Sequence, residues 1–254
     1  MKTFDYPQTK ITTNLEGFSF SDYAVSFINI FFASITEVKS RYLNINFEET
    51  ADNPECVKDK GSQDHVERVF AYELYYQWSI LLNTDDWILN GEAGKYLQWF
   101  YKNRKKTYLN QKFPDLVQYY KDNSIEDSHM IVCEIKRDYD DNIKNGIEDD
   151  LIKLVGFTCS PKNDKSDGRF FPPYACGIFL VIGHDFSVLQ KHLNVTHKYR
   201  NGEWEIYNEI SSEEAKKIIC VLCDEKDSKI NVQYQSLYNI VRDELNKRQV
   251  NRKK

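Results

Sequence analysis

The run Gly177-Ile178-Phe179-Leu180-Val181-Ile182, just after the break at Pro172-Pro173, constrains this chain more than any other feature. A strand with one wet face alternates apolar and polar residues. An unbroken apolar run of this length belongs to a strand covered on both faces, as in sheets flanked by helices. The segments before it supply the rest of a core. Leu116-Val117-Gln118-Tyr119-Tyr120 and Met130 to Lys136 read as strands joined by a polar turn, Lys121 to Ser128. Asn145 to Val155 reads as a helix with Ile147, Leu151, Leu154 and Val155 on one face, and Gly156 stands where a C-cap glycine would. The order strand, strand, helix, strand predicts an α/β core.

Around this core, helical spacing recurs from Ser21, a plausible N-cap, to about Tyr42, and again from His65 to Leu82. Between them Glu48 to Gln63 is polar, holds Asn53-Pro54 and Gly61, and reads as a linker. Residues 1–62 are therefore expected to form a helical N-terminal segment with a linker, and residues 63–254 the main domain with a C-terminal helical extension. Trp87 to Glu92 reads as a short strand or turn, and Lys95 to Arg104 as helix-like. After Gly183 the pattern suggests a helix, a strand over Ile218 to Cys223 and a final helix over Ser236 to Lys247.

With 41% hydrophobic residues in 254, the chain can bury a sizeable core. No apolar stretch reaches the roughly 18–20 residues of a membrane span, and the start MKTFDYPQTK has no secretory h-region, so a cytoplasmic protein without membrane association is expected. The six cysteines suit that compartment as buried thiols. Cys220 and Cys223 have C-x-x-C spacing but lack a second ligand pair, which favours core packing over zinc. The five histidines show no paired metal-binding spacing.

A net charge of -5 means that a nucleic-acid partner would have to meet locally concentrated positive charge. One such place is Lys102, Arg104, Lys105, Lys106 and Lys112, interleaved with Tyr101, Tyr108 and Phe113, whose rings can stack on bases. The other is the tail, Lys247, Arg248, Arg252, Lys253 and Lys254. For the tail a frayed terminus is the plainer explanation, while for the first patch a solvated face and a base-stacking surface stand level.

The chemistry concentrates between Pro114 and Lys136. Strand alternation puts Met130, Val132, Glu134 and Lys136 on one face and Ile131, Cys133 and Ile135 on the other. Folding the chain back about Ser124 and Ile125 pairs Asp115 with Glu134. Opposed residues in an antiparallel ladder lie roughly 4.5–5.5 Å apart at Cα, so two acids there repel unless a cation lies between them. Asp115, Glu134 and the carbonyl of Ile135 form an oxygen donor set suited to Mg²⁺ or Mn²⁺. Lys136 can hold the attacking water or offset charge building on a phosphate. A surface hairpin with an incidental salt bridge is the competing explanation.

In the helix from His65 to Leu82, Val66, Val69, Phe70, Glu73, Leu74, Gln77, Ile80 and Leu81 fall on one side. An acid inside an apolar stripe needs a metal or a charged partner, so Glu73 is either a third metal ligand or a paired core glutamate, with Glu67 on the flank as the fallback. Asp150 and Lys153 orient active-site groups, contact phosphate, or decorate a solvated helix face. Glu92 and Lys95 are weaker candidates.

These residues resemble the PD-(D/E)XK nuclease superfamily, which includes many restriction endonucleases. The likeness is carried by Pro114-Asp115, by Glu134-Ile135-Lys136 and by Asp150-Leu151-Ile152-Lys153-Leu154 in the following helix. Arg68 to Gln77 also looks like the first core helix of one branch. The resemblance covers about residues 65–185. It implies a restriction-endonuclease-like core, a mixed sheet flanked by helices, with Asp115, Glu134 and Lys136 as the triad and Glu73 as the helix acid. It also implies Mg²⁺-dependent phosphodiester cleavage, here expected on DNA, with a role in restriction or defence. Cutting both strands commonly takes two sites related by a two-fold axis, which a homodimer would supply. The alternative is a catalytically inactive member that binds nucleic acid or another partner.

Overall fold

A computed structural model of the chain describes residues 20, 22–43, 61–83, 86–91, 99–102, 105–108, 114–120, 129–137, 144–159, 173–183, 186–197, 204–206, 210–227 and 229–251. In chain order these form α1 (Asp22–Glu37), a 3₁₀ turn (Ser40–Tyr42), α2 (Gly61–Leu82), β1 (Trp87–Gly91), β2 (Trp99–Lys102), β3 (Lys105–Tyr108), β4 (Leu116–Tyr120) and β5 (His129–Arg137). There follow α3 (Lys144–Thr158), β6 (Cys176–Ile182), α4 (Phe186–His192), β7 (Val195–His197), β8 (Trp204–Ile206) and β9 (Ile210–Ser211). The chain continues through α5 (Ser212–Ala215), β10 (Ile218–Lys226), β11 (Lys229–Ser236) and α6 (Leu237–Asn251).

The central sheet has six strands in the order β1-β4-β5-β6-β10-β11. Its middle pairs, β5 with β6 and β6 with β10, are parallel, while β1, β4 and β11 add antiparallel edges. Parallel neighbours need a crossover, and α3 supplies it between β5 and β6. The protein is thus α/β with a mixed sheet flanked by helices, and no helix among the described residues is long and apolar enough to cross a membrane.

Every residue of β6 is buried, as its apolar run requires. Its side chains divide between two cores: Cys176, Ile178, Leu180 and Ile182 pack with α1 and α2, and Phe179 and Val181 pack with α3 and α6. Each large apolar side chain buried this way contributes about 1.5–3 kcal/mol. Between α3 and β10 the strand is tightly packed at Gly177, where a Cβ would stand 2.6 Å from Ile218 Cδ1 and 3.2 Å from Thr158 Cγ2 and would make the Ile218 side chain shift. The N-terminal helix belongs to the first core. Phe31 meets the Trp78 ring edge-on at 4.8 Å, Phe27 lies 4.3 Å from Trp87, and Phe32 stacks on Tyr234 at 4.8 Å.

Four local expectations are corrected. Helix α3 does not stop at Gly156. It runs to Thr158, because Phe157 buries itself beside Tyr174 and the Thr158 hydroxyl donates to Leu154 O at 3.1 Å. The helix expected over Lys95 to Arg104 gives way at Trp99 to strand β2, paired with β3. Aromatic residues favour a pleated surface, and Tyr101 stands opposite Lys106. Strand β11 was missed, as was the small sheet β7-β8-β9. Finally, Met130 does not share a face with Val132. The β4–β5 register passes from Gln118↔Ile131 to Tyr119↔His129, so β5 carries one extra residue at a bulge, and Met130 joins Ile131 in the first core.

Candidate active site

The site lies where β4 has not yet begun and β5 is running out. Beyond the bulge the ladder ends with Leu116 opposite Cys133, in the register expected from the hairpin, and Asp115 precedes the first paired residue of β4. Pro114, buried just before the strand, offers no N–H to a ladder. From Glu134 onward β5 therefore has β6 on one side and, among the described residues, no paired strand on the other. Buried backbone donors must still be paired. Two carboxylates do this: Asp115 Oδ2 accepts from the Ile135 N–H at 2.6 Å, and Glu67 Oε1, from α2, accepts from the Arg137 N–H at 2.7 Å.

The Glu134 side chain turns toward α3. It is 2% exposed, and its Oε2 accepts from Lys153 Nζ at 2.6 Å. Lys153 Nζ also lies 3.2 Å from Asp150 Oδ1, and Asp150 Oδ2 lies 3.7 Å from Lys136 Nζ. The other oxygen, Glu134 Oε1, is buried and has no hydrogen-bond partner among the described residues. Lys136 rests on the first turn of α3, where a Cβ at Gly146 would stand 3.3 Å from its Cε. Two helices on opposite faces of the sheet thus converge on one strand end, α2 with Glu67 and α3 with Asp150 and Lys153.

Burial dominates the electrostatics. It pushes the Glu134 carboxyl well above its ordinary range, with Asp115 and Asp150 adding to the effect and Lys153 opposing it. Asp115 is raised as well, again by burial, against the pull of the Ile135 N–H and of Lys153. For Lys136 burial acts downward, but Asp150, Glu67 and Asp115 together outweigh it and hold the ammonium charged. Lys153 is held charged in the same way by Glu134 and Asp150. The carboxyl groups of Asp115, Glu134, Asp150 and Glu67 thus interact with the ammonium groups of Lys136 and Lys153.

The helix acid is corrected. Glu67, not Glu73, reaches the strand end, and Glu73 Oε1 instead accepts from Gln77 Nε2 at 2.9 Å on its own helix. The buried stripe of α2 is Phe70, Leu74, Trp78 and Leu82, rotated from the expected one, and Ile80 is exposed. Of the alternatives for Asp150 and Lys153, the contacts agree with orienting neighbouring groups: the Lys153 amine is turned inward onto Glu134 and Asp150. Cys220 and Cys223 sit in opposite cores, as residues three apart on a strand must, so they share no site. Lys102, Lys105 and Lys106 lie on the β2–β3 hairpin, Lys102 opposite Lys105. Arg104, Lys112, Glu92, Lys95 and residues 252–254 lie outside the described residues. Sequence reasoning missed the Lys153–Glu134 pair. Its signal was the i,i+3 spacing of Asp150 and Lys153 on a helix that must cross beside β5.

Among the described residues, no group of three or more His, Cys, Asp or Glu side chains is arranged to hold a metal ion. The donor chemistry at the strand end nevertheless suits a hard cation: two neighbouring carboxyl groups, one with a buried oxygen that has no hydrogen-bond partner among the described residues. Fold and site together define an α/β protein with a buried carboxylate–lysine cluster at one end of a mixed sheet. Comparison with protein-family models, with curated proteins and with solved structures finds no match.

Proposed function

We propose that the protein is an Mg²⁺- or Mn²⁺-dependent endonuclease of the PD-(D/E)XK type, with a restriction-endonuclease-like core and DNA as its substrate, serving restriction or defence. One observation carries this: Glu134 Oε1, buried beside Asp115, has no hydrogen-bond partner among the described residues, and a buried polar atom left so is costly. Asp115 and Glu134 would hold the cation, with the Ile135 carbonyl as a further donor. Bound there, the ion supplies a more acidic water and a polarised phosphoryl group. Lys153 fixes Glu134 by its other oxygen, and Asp115 is steadied by the Ile135 N–H. Lys136, kept charged by Asp150, offsets charge that builds on the scissile phosphate and orients the attacking water. Glu67 clamps the end of β5 on which Lys136 sits.

The test is cleavage of single-stranded and duplex DNA and RNA, with and without Mg²⁺ or Mn²⁺, by the parent and by Lys136→Ala. Metal-dependent cleavage lost in the variant is expected. Equal cleavage by both overturns the mechanism.

A second function is favoured by the 2.6 Å contact of Lys153 with Glu134, since a tethered ammonium already neutralises that carboxylate. The protein would then be an inactive nuclease fold acting as a binding module. Calorimetry separates the two, because only the first requires Mg²⁺ binding that disappears in Asp115→Asn.

A further inference from the structure

A cleft of about 440 Å³ opens beside Asp115, lined along α2 by Glu67, Arg68, Ala71, Tyr72 and Tyr75 and closed by Gly91, Asp115 and Leu116. Arg68, Tyr72 and Tyr75 follow at i, i+4 and i+7, so one helix face carries them all. Tyr72 is 65% exposed and Tyr75 36% exposed, and both rings border the cleft. Exposed rings continue along the helix with Tyr76. Tyr75 is anchored, its hydroxyl donating to Leu89 O at 3.2 Å. Gly91 adds no side chain to the wall.

We infer that this cleft takes an unpaired base of single-stranded DNA, stacked on Tyr72 and Tyr75, with the adjoining phosphate led to Asp115 and Glu134. The inference rests on the nuclease reading of that acid pair and specifies its substrate. The volume falls in the range of about 300–1,000 Å³ that suits one small ligand, such as a nucleotide, and not a double helix. A duplex keeps its base faces stacked inside and shows a protein phosphates and groove edges. An unpaired base shows a face, and aromatic side chains bind such faces with little regard to sequence.

The experiment measures binding of a fluorescent oligothymidylate, the same strand in a duplex, and oligouridylate, by fluorescence anisotropy in Mg²⁺. The protein is full-length Lys136→Ala, with and without Tyr72→Ala or Tyr72→Trp. Expected are about ten-fold tighter binding of the single DNA strand than of the duplex, about ten-fold weakening by Tyr72→Ala, and recovery with Tyr72→Trp. Affinity unchanged by Tyr72→Ala, equal affinity for the duplex, or tighter binding of the RNA overturns the inference. Cleavage by otherwise wild-type protein separates the two proposals. Duplex cutting at a rate indifferent to Tyr72→Ala removes the base site and leaves the nuclease. Tyr72-dependent binding with no metal-dependent cleavage of any substrate supports the base site and removes the nuclease.

Discussion

Strands β5 and β10 run parallel with only β6 between them, and both pass from apolar residues into acid and lysine, Glu134-Ile135-Lys136 in one and Asp224-Glu225-Lys226 in the other. They nevertheless end in different surroundings. Glu134 stands level with Phe179 and Cys220, well inside the sheet, and is buried. Asp224 lies one step beyond Cys223 and is half-exposed, while Glu225 and Lys226 are exposed. The neighbours explain the contrast. β11 stays paired with β10 to Lys226↔Lys229, and Asp224 Oδ1 accepts from the facing Asn231 Nδ2 at 2.7 Å. Beside β5, β4 begins only at Leu116, and acids fill the space it leaves. An acid-x-lysine ending becomes a site where the adjacent strand stops short and helices cover the gap.

The comparison is most exposed to a pair of matched substitutions. Glu134→Gln is expected to reduce metal-dependent cleavage by about 10³-fold, the scale of losing a preorganised charge in an active site, while Glu225→Gln leaves it unchanged. Rates on one DNA substrate at saturating Mg²⁺ decide it, and similar losses in both variants would abolish the distinction between the strands.

Stability separates the same two ends less widely. Lys153→Ala leaves Glu134 buried without its counter-ion and is expected to destabilise the protein by about 3 kcal/mol. Lys226→Ala removes an exposed charge and should stay within about 0.5 kcal/mol. Urea unfolding followed by circular dichroism measures both.

How much of this was legible in the sequence follows from the range of the forces involved. The β6 run and the Leu116↔Cys133 register could be read because burial and turn length are local properties of the chain. The place of Met130 could not, since a bulge depends on how two strands accommodate each other. Glu67 was ranked behind Glu73 because the phase of an apolar stripe with Tyr72, Tyr76 and Ile80 on its exposed side is ambiguous until α1 docks on Phe70, Leu74 and Trp78. In β11, Ile230, Val232 and Tyr234 alternate with polar residues clearly enough for a strand, but short alternating edges carry a weaker signal than a continuous apolar run. The sequence left Lys153 open between orienting active-site groups, contacting phosphate and a solvated face, because one of its two partners lies on another element, β5.

The raised carboxyls sharpen the contrast through pH. Asp115 and Glu134 hold protons more tightly in the folded protein than in the unfolded chain, so the stability they contribute is complete in acid and is lost as pH rises through their raised values. A cation must displace those protons. Stabilisation by Mg²⁺ is therefore expected to be small at about pH 5 and to grow toward about pH 8, reaching about 1 kcal/mol, or 2–4 °C in Tm, at a few times Kd. Thermal unfolding with and without Mg²⁺ across that range measures it. A shift independent of pH would place the ion elsewhere, and Asp115→Asn should flatten the dependence.

The smallest expected effect tests the β10 side alone. Asp224→Asn keeps an oxygen that can accept from Asn231 Nδ2 and removes a charge that is half in water. The change in unfolding free energy should stay within about 0.5 kcal/mol, and the Mg²⁺ response should be that of the parent. A larger loss would mean that charge at the end of β10 is held as tightly as charge at the end of β5. The early stop of β4 would then no longer account for the difference between the two strand ends.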